Sequence, residues 1–134
     1  MDQAAGLMFS PGTDIEDRGR RAYLSGKAAE DAVERHYRHL GCSVVARRWR
    51  KGAGELDLVL RQRGVLLFVE VKKSRDFSRA AESLSHRQIN RLLAGAASFM
   101  AHEPNGELTD CRFDVALVNR YGEIHILENA LAGY

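Results

Sequence analysis

The sequence predicts a single α/β domain: a mixed sheet of about five strands flanked by helices, in the order α-β-β-β-α-β-β. Three observations predict it. Ala29, Val33, His36 or Tyr37 and Leu40, and again Ile89, Leu92, Leu93, Ala96 and Met100, recur at helical spacing. Short apolar runs bounded by glycine-bearing turns lie between and after these two segments, the pattern of strands. One of them, Leu66-Leu67-Phe68-Val69, is apolar without alternation, as in a strand buried on both faces of a helix-covered sheet.

The elements follow in order. Residues 1–17 hold Pro11 and an acid run without an apolar period, and are predicted to be a flexible tail ahead of a single domain over 18–134. A helix is predicted over 18–40, stopped by Gly41. Ser25 reads as its N-cap if the helix starts late, because Gly26 weakens anything earlier. The first strand, 42–50, grades into a basic rim of Arg47, Arg48, Arg50 and Lys51, and Gly52 and Gly54 bracket the next turn. Strands over 56–60 and 65–72 are joined by the polar turn 61–64. From Lys73 the chain is polar and basic until a second helix over 85–101, which Pro104, Asn105 and Gly106 break. A fourth strand, 112–118, turns at Tyr121-Gly122 into a fifth, 123–127. The third strand, second helix and fourth strand suit a right-handed crossover.

Bulk properties exclude several classes. At 134 residues the chain can bury a real core. No apolar run approaches the roughly 20 residues that span a bilayer. The N-terminal residues lack a basic start and an apolar h-region, so no signal peptide is expected. Cys42 and Cys111 are too few and too separate for a disulfide framework or a zinc site, which favours the cytoplasm. No P-loop, dinucleotide fingerprint or Ser/His/Asp ordering is present. The net charge of +2 hides an asymmetry. Residues 18–91 hold 18 of the 20 Lys and Arg but 8 of the 18 acids, a net of +10, and the remainder carries −8. A basic segment of this size suits either a polyanion partner or a solvated surface.

The chemistry concentrates in 54–75. Glu55 and Asp57 alternate on one predicted strand, and Glu70 and Lys72 on the next, so each pair shares a face and a hairpin brings the pairs together. Three acids and a lysine at one spot need a compensating cation. Hard cations such as Mg²⁺ or Mn²⁺ take oxygen ligands and keep waters, so Asp57, Glu70 and the Val71 carbonyl suffice. Such a cation activates water for phosphodiester cleavage, with Lys72 orienting the water and stabilising negative charge. Each feature also has a plainer reading: Glu-x-Lys is common on strands, and Glu30 reads alone as a surface acid favoured in a helix's first turns. Trp49 suits base stacking or core packing, and His86 a phosphate contact or a cap or surface residue before a helix.

Gly54-Glu55-Leu56-Asp57-Leu58 followed by Phe68-Val69-Glu70-Val71-Lys72 resembles the GEIDL…FVEVK signature of the YraN-type uncharacterised bacterial family. That family is similar to Holliday-junction resolvases of the PD-(D/E)xK restriction-endonuclease-like superfamily. The resemblance runs from about Gly26 to the C-terminus, through Ala29-Glu30, 46–50 and Arg112-Phe113-Asp114. It implies a restriction-endonuclease-like fold with Glu30, Asp57, Glu70 and Lys72 as catalytic residues, Asp57 and Glu70 holding Mg²⁺ or Mn²⁺. Leu56 stands where the superfamily name has proline, a permissive position. Glu55 is left as an outer acid, a base partner or the ion-pair partner of a helix arginine. Arg87, Gln88 and Arg91 match a basic, glutamine-containing helix start and are expected on phosphate, with Arg47, Arg48, Arg50, Lys51, Lys73 and Arg75. Asp114 reads as a buried hydrogen-bonded acid rather than a catalytic one. The expected function is a metal-dependent nuclease on DNA, with branched or junction DNA suggested by the resolvases, working as a homodimer. The alternatives are a nucleic-acid-binding module with a relic site and, more weakly, a protein adaptor.

Overall fold

The computed structural model describes residues 14–73, 77 and 84–131, so most of the expected tail, and Arg75, lie outside the described residues. The elements are α1 (Asp14–His39), β1 (Ser43–Lys51), β2 (Gly54–Gln62), β3 (Val65–Lys73), α2 (His86–Met100), β4 (Cys111–Val118) and β5 (Ile124–Leu127). A short 3-10 turn, Gly106–Leu108, precedes β4.

The five strands form one mixed sheet in the order β1-β2-β3-β4-β5. β1, β2 and β3 run antiparallel, β4 lies parallel to β3 after the excursion through α2, and β5 returns antiparallel. Each face of the sheet has its own helix. Ala29, Val33 and Tyr37 of α1 pack with Leu58, Leu60, Leu67 and Val69 on one side. Ile89, Leu92 and Ala96 of α2 pack with Leu56, Val59, Leu66 and Phe68 on the other. The continuous apolar run of β3 thus divides between two cores, the physical reason it does not alternate with polar residues.

Several boundaries differ from the sequence expectation. α1 starts at Asp14 rather than at residue 18, so Ser25 lies inside the helix and is not its N-cap. Helix propensity at one Gly such as Gly26 is worth about 1 kcal/mol, which a packed apolar face outweighs. The N-cap at the other helix is Ser85, whose side chain accepts from the Gln88 N–H while Gln88 Oε1 accepts from the Ser85 N–H, a reciprocal capping box. β2 and β3 pair up to Gln62↔Val65, which shrinks the turn to Arg63 and Gly64. Both take positive φ, 51° and 81°, as a two-residue hairpin turn requires.

Two local departures shape the region that holds the carboxylates. The β2–β3 register ends at Leu58↔Val69, although β2 stays paired with β1 to Gly54 and β3 stays paired with β4 to Lys73. The sheet therefore opens into a fork, with Asp57 and Glu70 the first residues on its two prongs. Leu56 and Leu58 also pack into opposite cores, so side-chain alternation breaks at Asp57. Across from the break, Arg48 has a φ of 47°, between the pairs Arg47↔Leu58 and Trp49↔Leu56. A strand irregularity of this kind re-aims a side chain.

Candidate functional site

Asp57 and Glu70 meet in the fork. Asp57 Oδ2 accepts a hydrogen bond from the Val71 backbone N–H at 2.9 Å. The side chain thus takes the donor that the ladder leaves behind where β2 diverges from β3. Glu70 has its carboxyl pushed up to about 8, first by burial, then by a hydrogen bond shared with Asp57 and by the Asp57 charge. Lys72 acts in the opposite direction, which places its ammonium within electrostatic reach of Glu70. The pair has the chemistry of two carboxylates that cannot both ionise in one partly dry site.

Two clefts flank this pair. One, of about 110 Å³, is lined by Glu55, Asp57, Glu70, Gln88, Arg91 and Leu92. The other, of about 150 Å³, is lined by Glu30, Arg48, Arg50, Glu55 and Asp57. Glu55 and Asp57 belong to both. Glu30 of α1 stands at the rim of the second cleft, where its Oε1 accepts from Arg48 Nε of β1 at 3.0 Å and lies 2.9 Å from Nη2. The helix carries Glu30 to the Asp57 side, whereas the Glu70 side is closed by α2.

The basic residues divide into groups. Arg47 makes a two-pronged ion pair with Glu34 of α1, Nε to Oε1 at 2.7 Å and Nη2 to Oε2 at 2.9 Å. That guanidinium holds the Glu34 carboxyl below its usual range. Arg50 Nη2 donates to Glu55 Oε1 at 3.0 Å, and Arg91 Nη1 lies 3.5 Å from Glu55 Oε2. One carboxylate thus bridges guanidiniums from β1 and α2. The three side chains are 76%, 44% and 34% exposed for Arg50, Arg91 and Glu55, and such solvated pairs are worth roughly 0–1 kcal/mol each. Lys51 Nζ is 3.5 Å from His102 Nε2. Arg87 is exposed on the first turn of α2, and Lys73 is exposed at the end of β3. Gln88 lines the first cleft while its Oε1 serves the cap of α2. His86 opens the helix, and Trp49 packs edge-on against Phe99, with ring centroids 5.4 Å apart.

Asp114 is 1% exposed and receives four donors. Tyr37 Oη, Arg112 Nε and Nη2, and the Asn129 N–H donate to its two oxygens at 2.8–3.1 Å. It stands beside Val69 in the β3–β4 register, one residue before Glu70. Its work is to anchor the strand behind the fork.

The contact of α2 with the site was not visible in the residue pattern. A Cβ built on Gly54 would stand 2.5 Å from Gly95 Cα and 2.6 Å from Gly95 N. The glycine read as a turn residue is where a helix touches a strand backbone to backbone. That approach sets Gln88, Arg91 and Leu92 over Glu55 and Asp57. The paired glycines, Gly54 and Gly95, were the available signal.

Among the described residues, no three His, Cys, Asp or Glu side chains form a group that would hold a metal ion. The Asp57–Glu70 pair nevertheless fits a hard divalent cation, which needs one or two carboxylates and otherwise keeps water. Burial, then Asp57, favours the protonated form of Glu70, and a cation would neutralise the pair instead. Among the described residues no helix is long and apolar enough to cross a membrane, and Cys42 and Cys111 are free thiols.

The profile of the uncharacterised protein family UPF0102 matches residues 29–118, a stretch that includes Glu30, Asp57, Glu70 and Lys72. A UPF0102 protein of Ruegeria pomeroyi is 54% identical over 116 residues, covering 87% of this chain and 94% of the relative. One from Roseobacter denitrificans is 53% identical over 114 residues, covering 85% and 88%. One from Cereibacter sphaeroides is 48% identical over 114 residues, covering 85% and 97%. With the profile running from within α1 to the end of β4, and relatives matched along nearly their whole length, this chain belongs to UPF0102, the YraN family.

Proposed function

We propose that this chain is a nuclease that hydrolyses phosphodiester bonds in DNA with Mg²⁺ or Mn²⁺ held between Asp57 and Glu70. The observation that carries this reading is the carboxylate pair at the mouth of the sheet fork, its Glu70 carboxyl raised first by burial and then by Asp57, with a lysine two residues on. Bound there, a divalent cation supplies Lewis acidity at a phosphate oxygen and an acidified water. Asp57 and Glu70 hold it, and Val71, whose N–H is directed at Asp57, offers its carbonyl from the same side of the strand. Lys72 orients the attacking water and offsets the charge that grows on the phosphate. Glu30 serves as the auxiliary acid on the Asp57 side, tethered by Arg48. Arg50, Arg87, Gln88 and Arg91 contact the DNA backbone around the two clefts, with Lys51 and Lys73 extending the basic track. Arg47 and Arg48 contribute positive field while bracing β1 against α1. The +10 balance of residues 18–91 supports a polyanionic substrate. A branched, two-fold substrate calls for two sites related by symmetry, so the working unit is a homodimer.

A cleavage panel tests this: four-way junction, flap, duplex and single-stranded DNA and an RNA duplex, each with Mg²⁺ or Mn²⁺. Cleavage that disappears in Asp57→Ala, Glu70→Ala and Lys72→Ala while DNA binding persists is the expected outcome. No metal-dependent cleavage of any member defeats the enzyme reading. A second reading, a nucleic-acid-binding module with a relic site, is favoured by one observation. Glu30 and Glu55 are engaged by arginines rather than by the carboxylate pair. It expects binding that falls steeply with salt and no cleavage.

A further inference from the structure

Glu55 is the residue for which neither the fold nor the proposed hydrolysis accounts. It is half-buried on β2, directly across the ladder from Arg50. Its two carboxylate oxygens each face a different guanidinium: Oε1 receives Arg50 at 3.0 Å and Oε2 lies 3.5 Å from Arg91. The arginines come from opposite sides, one from β1 and one from α2. Glu55 also lines both clefts, and among the described residues only Asp57 does the same.

A carboxylate held between two arginines has the charge and planar acceptor geometry of a phosphodiester's two non-bridging oxygens. Both ion pairs are solvated and are screened by salt, so they hold α2 to β1 only loosely. Nothing in the packing requires an acid at this position: the close contact between strand and helix is made by Gly54 and Gly95 one residue away.

We propose that Arg50 and Arg91 form a subsite for a backbone phosphate of nucleic acid, and that Glu55 occupies it as an exchangeable intramolecular stand-in. The inference rests on the nucleic-acid reading above. When a strand binds, the phosphate takes the two guanidiniums and the Glu55 carboxylate swings out to solvent. With that side chain withdrawn, the two clefts join past Asp57, and one strand runs from the Arg50 side to the Arg91 side across the carboxylate pair. Glu55 therefore makes the empty site electrostatically quiet and raises the threshold for weakly held polyanions. It is a gating and positioning residue, not a catalytic one.

The test is equilibrium binding of a fluorescein-labelled four-way junction and of a labelled duplex, by anisotropy in EDTA, so that no cleavage is needed. Glu55→Gln keeps the size of the side chain and removes its charge. It is expected to bind both probes roughly three- to tenfold more tightly than wild type, the range of a single phosphate contact at moderate salt. The same substitution in an Arg50→Ala/Arg91→Ala background is expected to give no gain. Glu107→Gln, the same charge change on an exposed turn outside both clefts, is expected to leave affinity unchanged. Thermal melting of each variant establishes that it is folded. Unchanged or weaker binding by folded Glu55→Gln overturns the proposal, and so does a gain that survives loss of both arginines. A wild-type protein that binds neither probe at low salt defeats the nucleic-acid reading and this subsite with it. A wild type that binds, with Glu55→Gln indifferent, defeats the subsite alone.

Discussion

Gly54 of β2 and Gly95 of α2 touch backbone to backbone: a methyl group on Gly54 would fall 2.5 Å from Gly95 Cα. A Cβ on Gly95 has wider gaps, 3.0 Å to the Leu56 Cγ and 3.1 Å to the Glu55 backbone N. Backbone cannot yield as a side chain can. Gly54→Ala is therefore expected to cost about 1–3 kcal/mol, at the overpacking scale, and Gly95→Ala less. Urea denaturation of the two variants checks the order. Because the same contact seats Arg91 and Gln88 over the fork, Gly54→Ala is also expected to weaken DNA binding in protein that remains folded.

Glu70 makes stability depend on pH. Its folded carboxyl titrates at about 8, against 4.5 for the ordinary group. Between those values the folded chain holds a proton that the unfolded chain has released. The stabilisation is thus complete below the lower value and is lost as pH rises through the upper one, with a slope of at most about 1.4 kcal/mol per unit. Melting curves in EDTA across this window should show the loss, and Glu70→Gln, neutral at every pH, should flatten it. An equal slope in the variant would refute the assignment.

Cation binding should reverse that loss. At pH 8 in the wild type, Mg²⁺ or Mn²⁺ at 100 times its Kd is expected to add about 2.7 kcal/mol. Asp57→Asn and Glu70→Gln should each abolish the increment, and chelator should restore the metal-free melting temperature. Differential scanning calorimetry with and without metal reads this directly, independent of any substrate.

Tyr37→Phe removes one of the four donors to buried Asp114. Loss of a hydrogen bond to a buried charge is expected to cost about 1–3 kcal/mol. The Tyr37 hydroxyl itself has its ionisation pushed well above the usual range, first by burial and then by the Asp114 charge, so it donates at every accessible pH. Chemical denaturation should show the destabilisation. Cleavage per folded molecule should stay at the wild-type level, since the hydroxyl lies behind the strand and does not line either cleft.

Arg63 holds a left-handed φ of 51° in the two-residue turn before Gly64. Non-glycine residues pay for this conformation, and Asn tolerates it best. Arg63→Asn is expected to stabilise by about 0.5–1 kcal/mol, visible as a higher urea midpoint with an unchanged m-value.

The order of elements, the two helical faces and the doubly buried third strand are consequences of local patterning, and the sequence by itself determined them. The same holds for the spacing of Asp57, Glu70 and Lys72, because two neighbouring strands joined by a tight hairpin leave little freedom in register. The relations between elements have a different origin. Side-chain period is silent on the helix start at Asp14. It is silent also on the break in alternation at Asp57, which comes from the diverging strands and from Arg48 opposite. Those partners of Glu30, Glu34, Glu55 and Asp114 that sit on other elements, 5 to 77 residues away in the chain, depend on how each element docks. Docking in turn rests on the bare backbones of Gly54 and Gly95, and a missing side chain leaves no periodic trace in a sequence.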